Sequence, residues 1–174
     1  GLGDVYKRQQ VIATELLKGQ GLGNQLFCYV TTRCLAMQNH CGFAILNKEI
    51  LANNIHSNKG MYFMDIDCGL DRKKEDFAEV YQEHEDRIYL GNSIHDIEHG
   101  CYISGADEKI LNLSHSTLVY GNMQDEVYFG QYKEEIKQWL KVKPEYDNYE
   151  YSRDNLCIIN IRGCLLYTSD AADD

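Results

Sequence analysis

The segment that decides the fold runs from residue 18 to residue 29 and reads KGQGLGNQLFCY. The residues before it, VIATELL at positions 11–17, carry β-branched side chains in partial alternation, which predicts a strand. After it, residues 24–39 place apolar side chains at helical spacing, which predicts a helix. The glycines are therefore expected on a strand-to-helix turn.

The chemistry of that turn favours an anionic ligand. Glycine there is expected to supply positive φ and to let a ligand approach the backbone closely. Asn24 or a neighbour can cap the helix, and the N–H groups of the first helical turn form a site for phosphate. A tight turn without any ligand is the alternative. The dinucleotide fingerprint G-x-G-x-x-G is incomplete, because Asn24 stands where its third glycine would be.

Outward from this turn, residues 43–46 read as the next strand, and together with the first strand and helix they make a βαβ unit. Glu49 is either a ribose-binding acid of a dinucleotide fold or a solvated loop carboxylate. Residues 71–87 carry charges around an apolar stripe and predict an amphipathic surface helix. Further short strands are predicted at 87–90, 101–104 and 117–120. The predicted fold class is α/β and Rossmann-like, with helices flanking a parallel sheet.

The second informative segment, YGNMQDEVYF at positions 120–129, reads as a strand end, a turn and a helix start. It leads into residues 131–142, whose apolar stripe predicts a helix. Asp125 and Glu126 are the carboxylates of this turn, and their chemistry suits a general base. Gln124 and Glu126 are either functional or structural, whereas Tyr128, Phe129 and Trp139 are expected in the core.

Composition limits the classes of function. The formal net charge of −10 argues against nonspecific nucleic-acid binding and against an anionic membrane surface. No apolar run approaches the roughly 20 residues that span a bilayer, and no signal peptide is visible. The cysteines lack C-x-x-C spacing and are expected as buried free thiols of a reducing cytoplasm. Two pairs, Asp65 with Asp67 and His95 with His99, have ligand-type side chains but no evident further ligands, so no metal site is predicted.

Both ends of the chain look foreign to the fold. Residues 1–9 and 164–174 match translations of two sequencing-adaptor primers, one in reverse complement. We therefore expect residues 10–163 to be the natural part, interrupted on its 3′ side, and we exclude both tails from the fold.

Three segments carry a resemblance to a known family. GLGNQLF-x-Y at 21–29 with R-x-L-A at 33–36 resembles the N-terminal signature of the bacterial α-1,2-fucosyltransferases of glycosyltransferase family 11. Cys28 replaces the usual Gln of that signature. Residues 121–129 are similar to the family's segment G-Y-[FW]-Q-S-E-K-Y-F, with matches at Gly121, Gln124, Glu126, Tyr128 and Phe129. Residues 156–163 resemble the strand that ends in H-x-R-R-x-D, of which Arg162 carries over while Asn160 replaces the His.

The resemblance implies a GT-B architecture. Residues 10–150 would be its N-terminal Rossmann-like domain on the acceptor side, and residues 155–163 would be the first strand of a truncated donor-binding domain. The implied reaction is inverting transfer of L-fucose from GDP-fucose to a galactoside hydroxyl in α-1,2 linkage, without a metal ion or other cofactor. On this basis the fragment alone is expected to be inactive.

The resemblance also implies site residues. Arg162 would neutralise the leaving diphosphate through a bidentate contact. The acceptor side would hold Gln124 and Glu126, and the catalytic base stays unassigned, with Glu126 and Asp125 as candidates. The other donor- and phosphate-binding residues would be Gly21, Leu22, Gly23, Asn24 and Gln25.

The partners implied are the nucleotide-sugar donor and the galactoside acceptor. The location implied is the cytoplasm, with or without peripheral association at the inner face of the membrane. Two alternatives stay open: a noncatalytic nucleotide- or carbohydrate-binding Rossmann-like module, and an NAD(P)-dependent oxidoreductase, which Asn24 disfavours.

Overall fold

The computed structural model describes residues 10–18, 20–52, 63–84, 105–113, 116–147 and residue 157. The chain divides into two compact units, Gly1–Lys143 and Pro144–Asp174. In the second unit the described residues include a 3₁₀ turn at Pro144–Tyr146 and the exposed thiol of Cys157. The first unit contains the sheet and all of the contacts discussed below.

The described strands form one parallel sheet. They are β1 (Val11–Glu15), β2 (Gly42–Leu46), β3 (Glu79–Gln82) and β4 (Thr117–Tyr120), in the spatial order β2-β1-β4-β3. Every pairing in this sheet is parallel. The predicted α/β fold class and the predicted parallel βαβ unit are therefore confirmed, although β1 ends at Glu15 instead of residue 17.

The central strand β1 is buried along most of its length. Val11, Ile12, Ala13 and Thr14 are each at most 3% exposed. A near-continuous apolar run of this kind is typical of a parallel strand that is covered on both faces. This burial explains why the alternation in the sequence is only partial.

The described helices are short except for one. They are α1 (Leu22–Gln38), α2 (Glu49–Ala52), α3 (Glu108–Leu111) and α4 (Lys133–Trp139), with 3₁₀ turns at Lys74–Asp76, Glu126–Tyr128 and Gly130–Tyr132. None of these helices has the length and apolar character that a membrane crossing needs.

Helix α1 ends in a Schellman motif without glycine. His40 has a φ of 52°, and its N–H donates to the carbonyl of Met37 at 3.1 Å. The N–H of Cys41 donates to the carbonyl of Ala36 at 2.9 Å, which completes the motif. The chain then enters β2 directly, so α1 lies back across the sheet.

Apolar side chains cover the two faces of the sheet unequally. On the α1 face, Leu16, Cys28, Tyr29 and Cys34 pack with Ile45, and Ile12 packs with residues of α1 and of the segment after β4. The other face carries a smaller buried cluster that includes Val11, Ala13, Leu118 and Phe77. Because α1 is covered by this packing, its N-terminal end is fixed relative to the sheet edge.

The predicted helix at 71–87 is wrong where the structure describes it. Instead, a 3₁₀ turn at Lys74–Asp76 precedes β3, which pairs with β4. Parallel pairing satisfies the backbone of these residues, and Phe77 is buried under the sheet with 7% exposure. Tertiary pairing has therefore overridden the local periodicity.

Several other predictions lie outside the described residues. They are the strands at 87–90, 101–104 and 156–163, the pair His95 and His99, Asn160, Arg162 and both adaptor-like tails.

Candidate functional site

The candidate site lies at the carboxyl edge of the sheet, between the ends of β1 and β4. The chain passes from β1 outward to β2 on one side, whereas β4 and β3 lie on the other side of β1. In open parallel sheets, ligands bind at such a reversal of strand order. The two segments that flank it are the glycine-rich loop before α1 and the turn at residues 121–124.

The prediction that the glycines of the first loop supply positive φ is wrong for Gly21 and Gly23. Gly21 is the N-cap of α1 with a φ of −65°, and Gly23 lies inside the helix, so neither needs positive φ. A Cβ built on either residue would have no neighbouring atom within 4 Å. Glycine is a favoured N-cap residue, which suits Gly21, and the open space at both positions leaves room for a ligand to approach the backbone. Asn24 does not cap the helix, because it lies inside the first turn.

Side chains of the loop hold its backbone in place. The Oε1 atom of Gln20 accepts a hydrogen bond from the N–H of Leu17 at 2.9 Å. The side-chain amide of Gln25 is buried and donates to the carbonyl of Gln20 at 3.1 Å. Gln25 therefore supports the loop from inside and does not face solvent.

The structure brings the two sequence segments together through side chains. The Nε2 atom of Gln124 donates to Oδ1 of Asn24 at 2.9 Å, across a separation of 100 residues. We call these two residues the amide pair. Both are exposed, and within the described part of the chain Asn24 Nδ2 and Gln124 Oε1 have no hydrogen-bond partner.

Two buried contacts hold the backbone next to the amide pair. The hydroxyl of Thr31 donates to the carbonyl of Met123 at 3.0 Å, and the thiol of Cys28 donates to the carbonyl of Gly121 at 3.3 Å. Thr31 and Cys28 belong to α1, so these hydrogen bonds join the helix to the 121–124 turn at this edge.

The N-terminal end of α1 points to this edge and carries no acidic residue in its first turn. The N–H groups of the first turn have no partner within a helix, and they carry the positive end of the helix dipole. A ligand anion at this end would therefore meet no competing carboxylate from the described first turn.

The two candidate bases are both engaged in local contacts. Oδ1 of Asp125 accepts from the N–H of Val127 at 2.9 Å, which makes Asp125 the cap of a 3₁₀ turn. Glu126 is exposed and pairs with Lys133, with 2.6 Å between Oε1 and Nζ. Each of these contacts uses one carboxylate oxygen, so the second oxygen of either residue can still accept a proton from a ligand hydroxyl.

Sequence reasoning missed Glu83, which it assigned to the solvated face of a helix. Glu83 follows β3 directly, and its side chain is 8% exposed. Its Oε2 atom accepts hydrogen bonds from the N–H groups of Asn122 and Met123, both at 2.9 Å. Gly121 makes room for Glu83, because a Cβ at 121 would lie 2.5 Å from Glu83 Cβ, but a glycine in the sequence does not identify its distant neighbour.

A hydrogen-bond network continues from Glu83 to Asp107. The hydroxyl of Tyr128 donates to Oε1 of Glu83 at 2.9 Å and accepts from the N–H of Asp107 at 2.5 Å. Burial, reinforced by the charge of Glu83, raises the pKa of Tyr128 far above its ordinary value, so the hydroxyl keeps its proton. Burial raises the pKa of Asp107 as well, but hydrogen bonds from the N–H of His84, the hydroxyl of Tyr81 and the N–H of Lys109 outweigh it and leave that pKa lowered.

A second missed carboxylate, Glu15, lies at the end of β1 on the other face of the sheet. It accepts from the side-chain amide of Asn47 at 2.9 Å and from the hydroxyl of Tyr120, and Lys74 Nζ lies 3.7 Å away. These contacts join the ends of three strands at the carboxyl edge.

The remaining residues that the sequence singled out are either exposed or lie close to a basic side chain. Glu49 is exposed at the start of α2. Asp65 pairs with Lys143 at 2.9 Å, and Asp67 lies 3.6 Å from Arg33. Among the described residues, no three side chains of His, Cys, Asp or Glu are grouped as metal ligands would be.

Comparison with protein-family models, with curated proteins and with solved structures found no match to this chain.

Proposed function

We propose that this chain carries the acceptor-side domain of an inverting α-1,2-fucosyltransferase that resembles glycosyltransferase family 11. In this proposal the domain belongs to a GT-B enzyme that moves L-fucose from GDP-fucose to a galactoside hydroxyl. The proposal rests on three segments in the family's order, of which the first two belong to the described residues.

One observation carries the proposal. Asn24 of the first segment and Gln124 of the second are hydrogen-bonded at 2.9 Å although 100 residues separate them. The resemblance relates both segments to one family, but it does not by itself show that the two segments lie at one site. Their contact lies where the strand order reverses, which is the usual ligand position in open parallel sheets.

The amide pair suits a sugar. Asn24 Nδ2 offers a donor and Gln124 Oε1 an acceptor, side by side and exposed to solvent. A sugar hydroxyl both donates and accepts, so two neighbouring hydroxyls can bind to such a pair. Phe27, which lies one helical turn after Asn24 and is 37% exposed, adds apolar area beside it.

The N-terminal end of α1 suits the diphosphate of the donor. Transfer needs the acceptor oxygen behind the anomeric carbon and a neutralised leaving group. The N–H groups at residues 22–24 would contribute to that neutralisation, and Arg162 would add its guanidinium. In this mechanism the amide pair orients the acceptor, and Glu126 or Asp125 is the candidate for removing the proton of its hydroxyl.

The test uses the protein encoded by the complete reading frame from which this chain is taken, with the 174-residue chain measured beside it. GDP release is measured with GDP-fucose and lactose, with NAD⁺ binding as the probe for the oxidoreductase alternative. Fucosyl transfer to lactose by the complete protein is the expected result. NAD⁺ binding without transfer would overturn the proposal.

Two substitutions then test the amide pair. Gln124→Ala and Asn24→Ala are each expected to raise the KM for the acceptor about tenfold, since each removes a hydrogen bond to a neutral ligand group. Gln131→Ala, at an exposed position of the next turn, is the matched control and should leave the KM unchanged. An unchanged acceptor KM in both pair variants would remove the amide pair from the site.

A further inference from the structure

We propose that Glu83 is a positioning residue: its buried carboxylate fixes the 121–124 turn and thereby holds Gln124 against Asn24. This inference rests on the proposed function for the role of the amide pair, and on geometry alone for the role of Glu83.

The carboxylate of Glu83 fits the backbone of the 121–124 turn. Met123 has a φ of 48°, so the backbone here enters the left-handed region and directs two successive N–H groups to one point. Oε2 of Glu83 accepts from both, at 2.9 Å from the nitrogen of Asn122 and 2.9 Å from that of Met123. Such concave backbone arrangements bind anions, and in this protein the anion is the side chain that directly follows β3.

Both oxygens of the Glu83 carboxylate are held by hydrogen bonds. Its Oε1 atom accepts from the hydroxyl of Tyr128, which is fully buried. Gly121 leaves no room around Glu83, because a Cβ at 121 would lie 2.5 Å from Glu83 Oε2. The position of the carboxylate therefore determines the position of the turn.

The turn in its place positions Gln124 against Asn24. Gln124 follows Met123 directly, and its side chain reaches Asn24 at 2.9 Å. Besides this contact, α1 binds the backbone of the turn through Thr31 and Cys28, which donate to carbonyl oxygens. Glu83 accepts from the N–H groups of Asn122 and Met123. It therefore fixes the backbone of the turn through its donors, as α1 does through the turn's carbonyl oxygens, and so orients the side chain of Gln124.

The experiment uses the isotope-labelled 174-residue chain and separates the effect of the charge of residue 83 from the effect of its side-chain length. Glu83→Gln keeps an oxygen at the same distance from the backbone, whereas Glu83→Asp keeps the charge but withdraws it by one methylene. Glu79→Gln, at an exposed position of β3, is the matched control. Hydrogen exchange of the Asn122 and Met123 amides and the chemical shift of the Gln124 side-chain amide are measured.

In Glu83→Asp, exchange at both amides is expected to be about tenfold faster or more, because the N–H groups lose their buried acceptor. The Gln124 amide shift should move to that of a free side chain in the same variant. Glu83→Gln keeps an acceptor for the two N–H groups but loses the acceptor of the Tyr128 hydroxyl, so its effect should be smaller than that of Glu83→Asp, and the control should stay close to the wild type. Unchanged exchange and shift in Glu83→Asp would overturn the proposal, as would equal loss in Glu83→Gln. Should Glu83→Asp not fold, freely exchanging Asn122 and Met123 amides in the wild type would overturn it.

A kinetic arm separates positioning from general stability. In the complete protein, Glu83→Asp is expected to raise the acceptor KM while kcat and the KM for GDP-fucose stay unchanged, which is the signature of lost acceptor binding. A parallel fall of kcat with unchanged acceptor KM would contradict it. Absence of transfer by the wild type would refute the proposed function, and the exchange measurements would still decide the role of Glu83.

Discussion

Gly23 and Gly121 differ in the space that surrounds them, and this difference gives opposite expectations for the same substitution. Gly23 lies in α1 with no atom within 4 Å of a built Cβ, so Gly23→Ala should raise the free energy of unfolding by about 0.5–1 kcal/mol. Gly121→Ala should lower it by about 1–3 kcal/mol, because its Cβ would overlap Glu83. Urea unfolding of the two variants checks this, and shifts of the same sign would contradict the geometry.

The buried cysteines should be unreactive. Burial is the main cause that raises the pKa of Cys28 to about 11 and that of Cys34 to about 12, from an ordinary value of 9.0. The thiolate is the reactive form, so at pH 8 a thiol reagent should label the exposed Cys157 first and these two only after unfolding. Rapid native-state labelling of Cys34 at pH 8 would contradict this.

The same pKa shifts make stability depend on pH. The folded state holds the two protons more tightly than the unfolded state does, so their contribution is fully present below pH 9. It is lost as the pH rises through 11 and 12, and the free energy of unfolding should fall over that range. In a Cys28→Ala/Cys34→Ala variant, that fall should be smaller.

Single residues of the site were predicted only in part. The sequence pointed to Gln124 and Asn24, because both belong to recognisable segments. It did not point to Glu83, because a buried carboxylate differs from a solvated one only through partners that are distant in sequence. Its partners Asn122 and Met123 are 39 and 40 residues away, a separation that local patterns do not encode.

At the scale of elements, strands and helices with a strong local signal were predicted and weaker ones were not. The predicted β1, β2, β4 and α1 are confirmed to within about two residues, because apolar runs and helical spacing follow directly from burial. β3 was taken for a helix, because its apolar residues also fit a helical stripe and its pairing with β4 depends on the tertiary structure.

One stacked guanidinium contributes to the attachment of α4 to α1, beside the apolar packing of Ile136 and Leu140. Cζ of Arg33 lies 4.2 Å from the ring centroid of Trp139 and 5.1 Å from that of Phe43. Arg33→Lys keeps the charge and loses the planar stack, so we expect a loss of about 1 kcal/mol in unfolding free energy. Trp139 is the only tryptophan, and its fluorescence should shift to the red. Arg72→Lys is the control, and an unshifted spectrum in Arg33→Lys would contradict the stacking.

At the scale of the whole molecule, the parallel sheet explains why the two sequence segments lie near each other. Parallel strands end at the same edge, so the loops after β1 and β4 had to lie on one side of the sheet. The strand order itself was not predictable, because the sequence does not specify that β4 lies beside β1. The contact between Gln124 and Asn24 follows from that order.

The described apolar clusters of the first unit end before Pro144. The three apolar clusters use residues between Val11 and Leu140. Beyond them, the N–H of Lys143 donates to the carbonyl of Phe63 at 2.8 Å, and its Nζ pairs with Asp65 at 2.9 Å. A chain of residues 10–143 therefore keeps all of the contacts named here.

We expect this shortened chain to unfold within about 2 °C of the 174-residue chain, because a change below roughly 0.5 kcal/mol shifts the midpoint by about that amount. Its circular dichroism should show the same helix and strand content for the shared residues. Separate removal of residues 1–9 and of residues 144–174 identifies which end matters if the midpoint falls. A fall of many degrees after removal of residues 1–9 alone would show that this tail belongs to the fold, and it would refute the adaptor origin inferred for that end.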